Sequence, residues 1–173
     1  RFEQRLAALE GTETAIGTSS GMSAILLMCL GLLKAGDHVI GSQSMFGSTI
    51  KLIGSEFARF GVQSSFVPQT DTAAWKAALR PETRLLFAET PTNPLTDLCD
   101  IRELADIAHA AGVLLAVDNC FASPALQRPA SHFLAHPAEH RVVAHAQQAL
   151  GRACTNALGI LAQRHLARGR IHS

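Results

Sequence analysis

The apolar residues of the chain alternate between a helical and an extended period. Phe2, Leu6 and Leu9 share one face of a helical stretch over residues 2–10, which Gly11 stops. Thr14–Thr18 is short and strand-like. From Gly21 to Lys34 the pattern is helical and apolar on most sides, ending at Ala35-Gly36. A strand over His38–Gly41 leads into a loop containing Phe46-Gly47. A helix is predicted from Thr49 to Phe60, with Ile50, Ile53, Phe57 and Phe60 on one stripe and Gly61 closing it. Val62–Val67 reads as a strand, and Thr72–Leu79 as a short helix stopped before Pro81. Arg84–Glu89 is strand-like around the run Leu85-Leu86-Phe87-Ala88, and a proline-rich loop, Thr90-Pro91-Thr92-Asn93-Pro94, closes it. Asp100 caps a helix to Ala111, with Glu103 placed to reach back to the cap and Gly112 ending it. Val113–Val117 is a continuous apolar run, expected of a strand buried on both faces. Strands alternating with helices predict an α/β fold with a mostly parallel sheet flanked by helices.

Composition narrows the classes. With 47% hydrophobic and 17% charged residues, the chain can bury enough apolar surface to fold. A net charge of +1 gives no sign of a polyanion partner, and no nucleic acid is expected. The longest apolar run, Ala24–Leu33, is too short to span a bilayer, so no membrane partner is expected. Cys29, Cys99, Cys120 and Cys154 form no CxxC pair, which fits a reducing, cytoplasmic compartment. Arg1 in first place, with no signal peptide, leads us to expect a preceding segment. The rare residues are unevenly spread. Only Lys34, Lys51 and Lys76 are lysines, and six of the eight histidines fall in the last 43 residues, which contain no aspartate.

Three segments sit where predicted strands end, the edge at which open α/β sheets bind ligands. Ser19-Ser20-Gly21-Met22-Ser23 puts small residues and a helix start together, a seat for a phosphate. Alone, this segment is better explained as an ordinary capped helix. Glu89-Thr90-Pro91-Thr92-Asn93-Pro94 is a stiff loop able to aim one amide at a pocket, and alone it is better explained as a rigid turn. Asp118-Asn119-Cys120 follows the buried strand. A carboxylate there needs a partner or water, and either a protonated ring nitrogen or the next turn supplies one.

Taken together, TSSGMSAI, SMFGSTIKL, ETPTNP and LLAVDNCFASPALQRP resemble, in order and spacing, the Cys/Met-metabolism family of pyridoxal phosphate enzymes, over roughly residues 1–129. Phe46-Gly47-Ser48-Thr49, VDNCF and PALQRP are most similar to the O-succinylhomoserine sulfhydrylase branch. The resemblance implies an incomplete type I pyridoxal phosphate-dependent transferase large domain over residues 1–129, followed by a divergent helical or disordered tail over 130–173. It implies γ-replacement chemistry on an amino-acid substrate, as in O-succinylhomoserine sulfhydrylase or cystathionine γ-synthase, serving homocysteine and methionine biosynthesis. It also implies a homo-oligomer, a dimer-based tetramer. The cofactor would be pyridoxal 5′-phosphate. By this resemblance the backbone amides of Gly21 and Met22 hold its phosphate, Phe46 stacks on its ring, Asn93 lies near its phenolic oxygen and Asp118 pairs with its pyridinium nitrogen.

After Pro129 the pattern departs. Where the family continues through GAD to HSxTK, this chain reads Ala130-Ser131-His132-Phe133 and has no lysine from there on. The family's cofactor-bonding amine is therefore absent, no catalytic residue is assigned, and Lys34, Lys51 and Lys76 are read as solvated surface positions. The economical expectation is out-of-frame sequence from about residue 130 joined to a truncated gene. His132, His136 and His140 share a spacing of four that suits metal ligands on a helix, but Pro137 interrupts it, and no metal site is assigned. Three readings stand: an inactive fragment of a trans-sulfuration enzyme; a non-catalytic remnant that binds the cofactor weakly or pairs with full-length subunits; and a histidine-tail metal module.

Overall fold

The computed structural model describes residues 1–133, 142–147 and 157–162. Its elements are α1 (Phe2–Glu10), β1 (Ile16–Gly17), α2 (Gly21–Leu32), β2 (His38–Ser42), α3 (Gly47–Lys51), β3 (Gln63–Val67), α4 (Thr72–Ala77), β4 (Thr83–Glu89), α5 (Ile101–Ala111), β5 (Leu114–Asp118), α6 (Pro129–Phe133), β6 (Val142–Gln147) and β7 (Ala157–Ala162). Strands β2 to β5 form a parallel sheet in the order β3-β2-β4-β5. A second sheet, β1-β7-β6, is antiparallel.

The parallel sheet is buried on both faces because its strands are apolar at successive positions. Val39, Leu85, Phe87 and Ala116 point to one side, where Ile25, Met28 and Cys29 of α2 and Ile53 and Phe57 beyond α3 cover them. Ile40, Leu86, Ala88, Leu115 and Val117 point to the other, against Leu6 of α1, Trp75 of α4 and Ile101, Leu104, Ala105 and Ala108 of α5. Trp75 is fully buried and its indole N–H donates to the Gln69 carbonyl at 3.2 Å, so the ring enters the core without an unpaired polar group. Gly61 and Gly112 end their helices with φ of 80° and 66°, the left-handed conformation that other residues adopt only with strain.

The expected helix over Thr49–Phe60 differs in detail. It begins at Gly47, widens into a π-type turn over Leu52–Glu56, and tightens into a 3₁₀ turn over Phe57–Phe60. The wide turn rotates the residues beyond it about the helix axis. Ile53 and Phe57 stay buried, whereas Phe60 leaves the predicted stripe and is exposed. The strand read over Thr14–Thr18 is only Ile16–Gly17, paired with β7. Within 130–173, where a helical or disordered tail was expected, β6 and β7 are strands and α6 a short helix. The spacing of His132, His136 and His140 lies outside the described side chains. Among the described residues no helix is long and apolar enough to cross a membrane.

Candidate functional site

The helix after β2 covers one face of the sheet and α5, which follows β4, covers the other. The chain therefore leaves β2 and β4 in opposite directions, opening a crevice between adjacent strands at their carboxyl ends. Three of the sequence-predicted residues, Phe46, Asn93 and Asp118, lie on the loops and strand ends around this crevice. Gly21 and Met22 reach the same edge from α2.

Ser20 caps α2 reciprocally. Its hydroxyl accepts the Ser23 N–H at 3.1 Å, while the Ser23 hydroxyl accepts the Ser20 N–H at 2.9 Å. With Ser23 satisfied, Gly21 and Met22 supply the remaining amides of the first turn, half-buried and at the positive end of the helix. Met22 in turn meets the α3 segment: the Thr49 hydroxyl lies 4.0 Å from its sulfur. Phe46 immediately precedes α3 and is 44% exposed; Gly47 and Ser48 after it are also exposed, while Met45 and Thr49 on either side are buried.

A residue that the motifs did not single out ties this loop to the next. Glu89, the last residue of β4, is 1% exposed. One carboxylate oxygen accepts the Phe46 N–H at 2.6 Å and the other accepts the Asn93 N–H at 3.0 Å. Burial raises its carboxyl above the usual range, and those two N–H groups pull the other way. Its neighbour in register on β5 is Asp118, 5% exposed, whose Oδ1 accepts the Cys120 N–H at 3.1 Å. Two acidic side chains thus sit side by side at the strand ends. Cys120 registers both: burial first, then the charges of Asp118 and Glu89, push its thiol up to about 12.

The walls are fixed by a polar lattice. The Thr90 N–H donates to the Asp118 carbonyl at 2.9 Å. The Gln127 amide donates to the Thr90 carbonyl at 2.8 Å and to the Asn119 side-chain oxygen at 2.9 Å, and the Asn119 amide donates back to the Gln127 carbonyl. Thr92 and Thr90 accept the Asp97 and Cys99 N–H groups and hold the outer limb of the proline-rich loop. Reading the sequence by motif missed Glu89, Asn119 and Gln127 as site-building residues. The signal was present for Glu89: a carboxylate closing the apolar run Leu85–Ala88 poses the same question as Asp118 closing Leu114–Val117. Lys34, Lys51 and Lys76 are all exposed.

A parallel sheet with a helix N-terminus, an exposed aromatic residue and two buried acids near its switch point has the layout of a doubly wound α/β fold. The chain belongs to the Cys/Met metabolism PLP-dependent enzyme family, whose sequence profile matches residues 1–151. The O-succinylhomoserine sulfhydrylase of Pseudomonas aeruginosa is 59% identical over 128 residues, 74% of this chain and 32% of that protein. An L-methionine gamma-lyase of Fusobacterium nucleatum is 40% identical over 129 residues, 74% of this chain and 33% of that protein. Among solved structures, metB from Corynebacterium glutamicum superposes with a TM-score of 0.85 at 32% identity, covering 94% of this chain and 41% of that one. Cystathionine gamma-lyase from Lactobacillus plantarum, complexed with L-serine, gives 0.84 at 32% identity over the same shares. The chain spans about a third of the length of the curated relatives it matches.

Proposed function

We propose that the crevice between β2 and β4 is a site for pyridoxal 5′-phosphate, and that these residues are the cofactor-facing part of a γ-replacement enzyme of sulfur amino-acid metabolism. The observation that carries the reading is the donor set. A phosphate dianion needs N–H donors and positive potential, which the first turn of α2 offers at Gly21 and Met22. A flat heteroaromatic ring needs an exposed aromatic face, and Phe46 offers one. A pyridinium needs a buried carboxylate, and Asp118 at the end of β5 is of that kind. Asn93, half-buried on the β4 loop, faces the ring's phenolic oxygen in this assignment. When bound, the cofactor supplies an electron sink for a carbanion at the substrate α-carbon.

The 59% identity to an O-succinylhomoserine sulfhydrylase supports an O-acylated homoserine as substrate, with a sulfur nucleophile replacing the γ-substituent. A homo-oligomeric assembly is part of the same proposal. These 173 residues contain no lysine beyond Lys76, and the three present are exposed. In this reading residues 1–129 are the cofactor-binding part and 130–173 a divergent segment, of which the family profile still matches residues 130–151. The chain holds the cofactor reversibly and does not turn over. That absence favours the non-catalytic reading over an active enzyme.

The test uses pyridoxamine 5′-phosphate, which carries no aldehyde to react with Lys34, Lys51 or Lys76. Saturable binding by calorimetry is expected, with Asp118→Asn weakening it about tenfold, the scale of one charge-assisted hydrogen bond. Sulfide-dependent release of succinate from O-succinylhomoserine is expected to stay at the buffer rate. No saturable binding would remove the site assignment, and turnover by the chain alone would remove the non-catalytic reading.

A further inference from the structure

We propose that Glu89 is a positioning residue for this site, a carboxylate latch that fixes the main chain of the Phe46 loop and the Asn93 loop relative to each other. This inference rests on the cofactor reading for what the two loops present, but the latch itself stands on geometry.

Two N–H groups from segments 47 residues apart in sequence, at Phe46 and Asn93, converge on the two oxygens of one side chain, at 2.6 and 3.0 Å. A carboxylate is suited to that task because both of its ends accept. Glutamine has the same shape but one accepting end; its amide would face one of the N–H groups donor to donor. Aspartate is one methylene shorter and does not span both loops from the same Cα. The location makes the choice costly. Glu89 is almost wholly buried, and its register neighbour is Asp118. A second acid beside the one assigned to the ring nitrogen adds desolvation and like-charge repulsion. Two charge-assisted hydrogen bonds are the compensation visible on its own carboxylate. Their effect is to set where the Phe46 ring and the Asn93 amide start from, on either side of the crevice. Glu89 itself need not touch a ligand to do this.

Hydrogen exchange on the intact chain tests the latch without any ligand. The Phe46 and Asn93 amides are expected to exchange slowly in the wild-type chain. In Glu89→Gln at least one of them exchanges about tenfold faster, while the β4 amides of Leu86 and Phe87 keep their protection. Coil-like exchange at Phe46 and Asn93 in the wild type would overturn the proposal, and that result does not depend on the variant folding. Ligand affinity supplies the second arm. Glu89→Gln is expected to weaken pyridoxamine 5′-phosphate about tenfold and leave inorganic phosphate, which needs only the first turn of α2, unchanged. Equal weakening of both would mean general loosening and would overturn the positioning role, as would unchanged affinity for both. If the wild type binds neither, the cofactor reading fails, and the exchange rates still decide whether Glu89 latches the loops.

Discussion

His38 begins β2 with no exposed surface, and its ring is held from both sides: Nδ1 lies 2.8 Å from the Thr83 hydroxyl and Nε2 3.0 Å from that of Ser65. Thr83 accepts the Arg80 N–H, so its own proton is available to Nδ1. Nε2–H then donates to Ser65, which also accepts from the Arg80 guanidinium. This network fits a neutral imidazole. Burial, then the Arg80 charge, lowers its pKa, with Glu82 opposing. The unfolded chain takes up the proton near the ordinary value of 6.5, and the folded chain only at lower pH. Stability contributed by neutral His38 is complete above 6.5 and is lost as pH falls from there through the folded value. Urea titrations are expected to show midpoints dropping below pH 6.5, and His38→Gln to flatten that part of the profile. The cysteines behave consistently with their surroundings. Cys120 and Cys29 are pushed up to about 12 and Cys99 to about 11, mainly by burial. In the folded chain all three are expected to react with iodoacetamide more slowly than a free thiol at pH 8, as measured by peptide mass spectrometry; equal rates would contradict their placement. At this scale Asp118 was legible because it ends an apolar run inside a motif. Glu89 was less so, since its meaning lies in two N–H groups far away in sequence.

Among the elements, α2 has the plainest sequence logic and the clearest test. Ser20 and Ser23 were readable as a helix start, and their reciprocal bonds bear that out. Ser20→Ala removes one arm and is expected to cost about 1 kcal/mol of stability by denaturant titration. If the first turn seats a phosphate, the same variant weakens inorganic phosphate as well. The helix beginning at Gly47 was legible as a helix but not in its pitch. Its π-type turn passes Gly54 close to the Phe66 ring, where a Cβ would lie 3.2 Å from Cε2. Apolar spacing is blind to such a contact because the partner lies on β3. Gly41 on β2 is similar: a Cβ there would fall 2.8 Å from Met45 Cε and 3.0 Å from Phe66 Cε1. Gly41→Ala is expected to destabilise by about 1–3 kcal/mol through overpacking, read as a lower urea midpoint. An unchanged midpoint would mean that Met45 yields freely.

Across the whole molecule the parallel direction of β2 to β5 followed from apolar runs alternating with capped helices, and so did the gathering of the motif loops at one edge of the sheet. Strand order did not, because β2 lies between β3 and β4 only by virtue of a crossover. Nor did β6 and β7, although Val142–Ala144 and Ala157–Ala162 are apolar runs like those of the earlier strands; after Pro129 the reading followed the lost family motifs and the skewed composition rather than these runs. On α2, Leu26, Leu27 and Leu30 remain exposed although the helix is apolar nearly all round. The central claim concerns the same chain as a whole: a cofactor site assembled around Glu89 and Asp118 without the amine that would bond to the cofactor. The direct measurement is to equilibrate the chain with pyridoxal 5′-phosphate, reduce with borohydride and map the labelled lysine by mass spectrometry. The account expects bound cofactor that dialysis removes before reduction, and after reduction only scattered, substoichiometric labelling of Lys34, Lys51 and Lys76. Stoichiometric labelling of one lysine, abolished by Asp118→Asn, would contradict it.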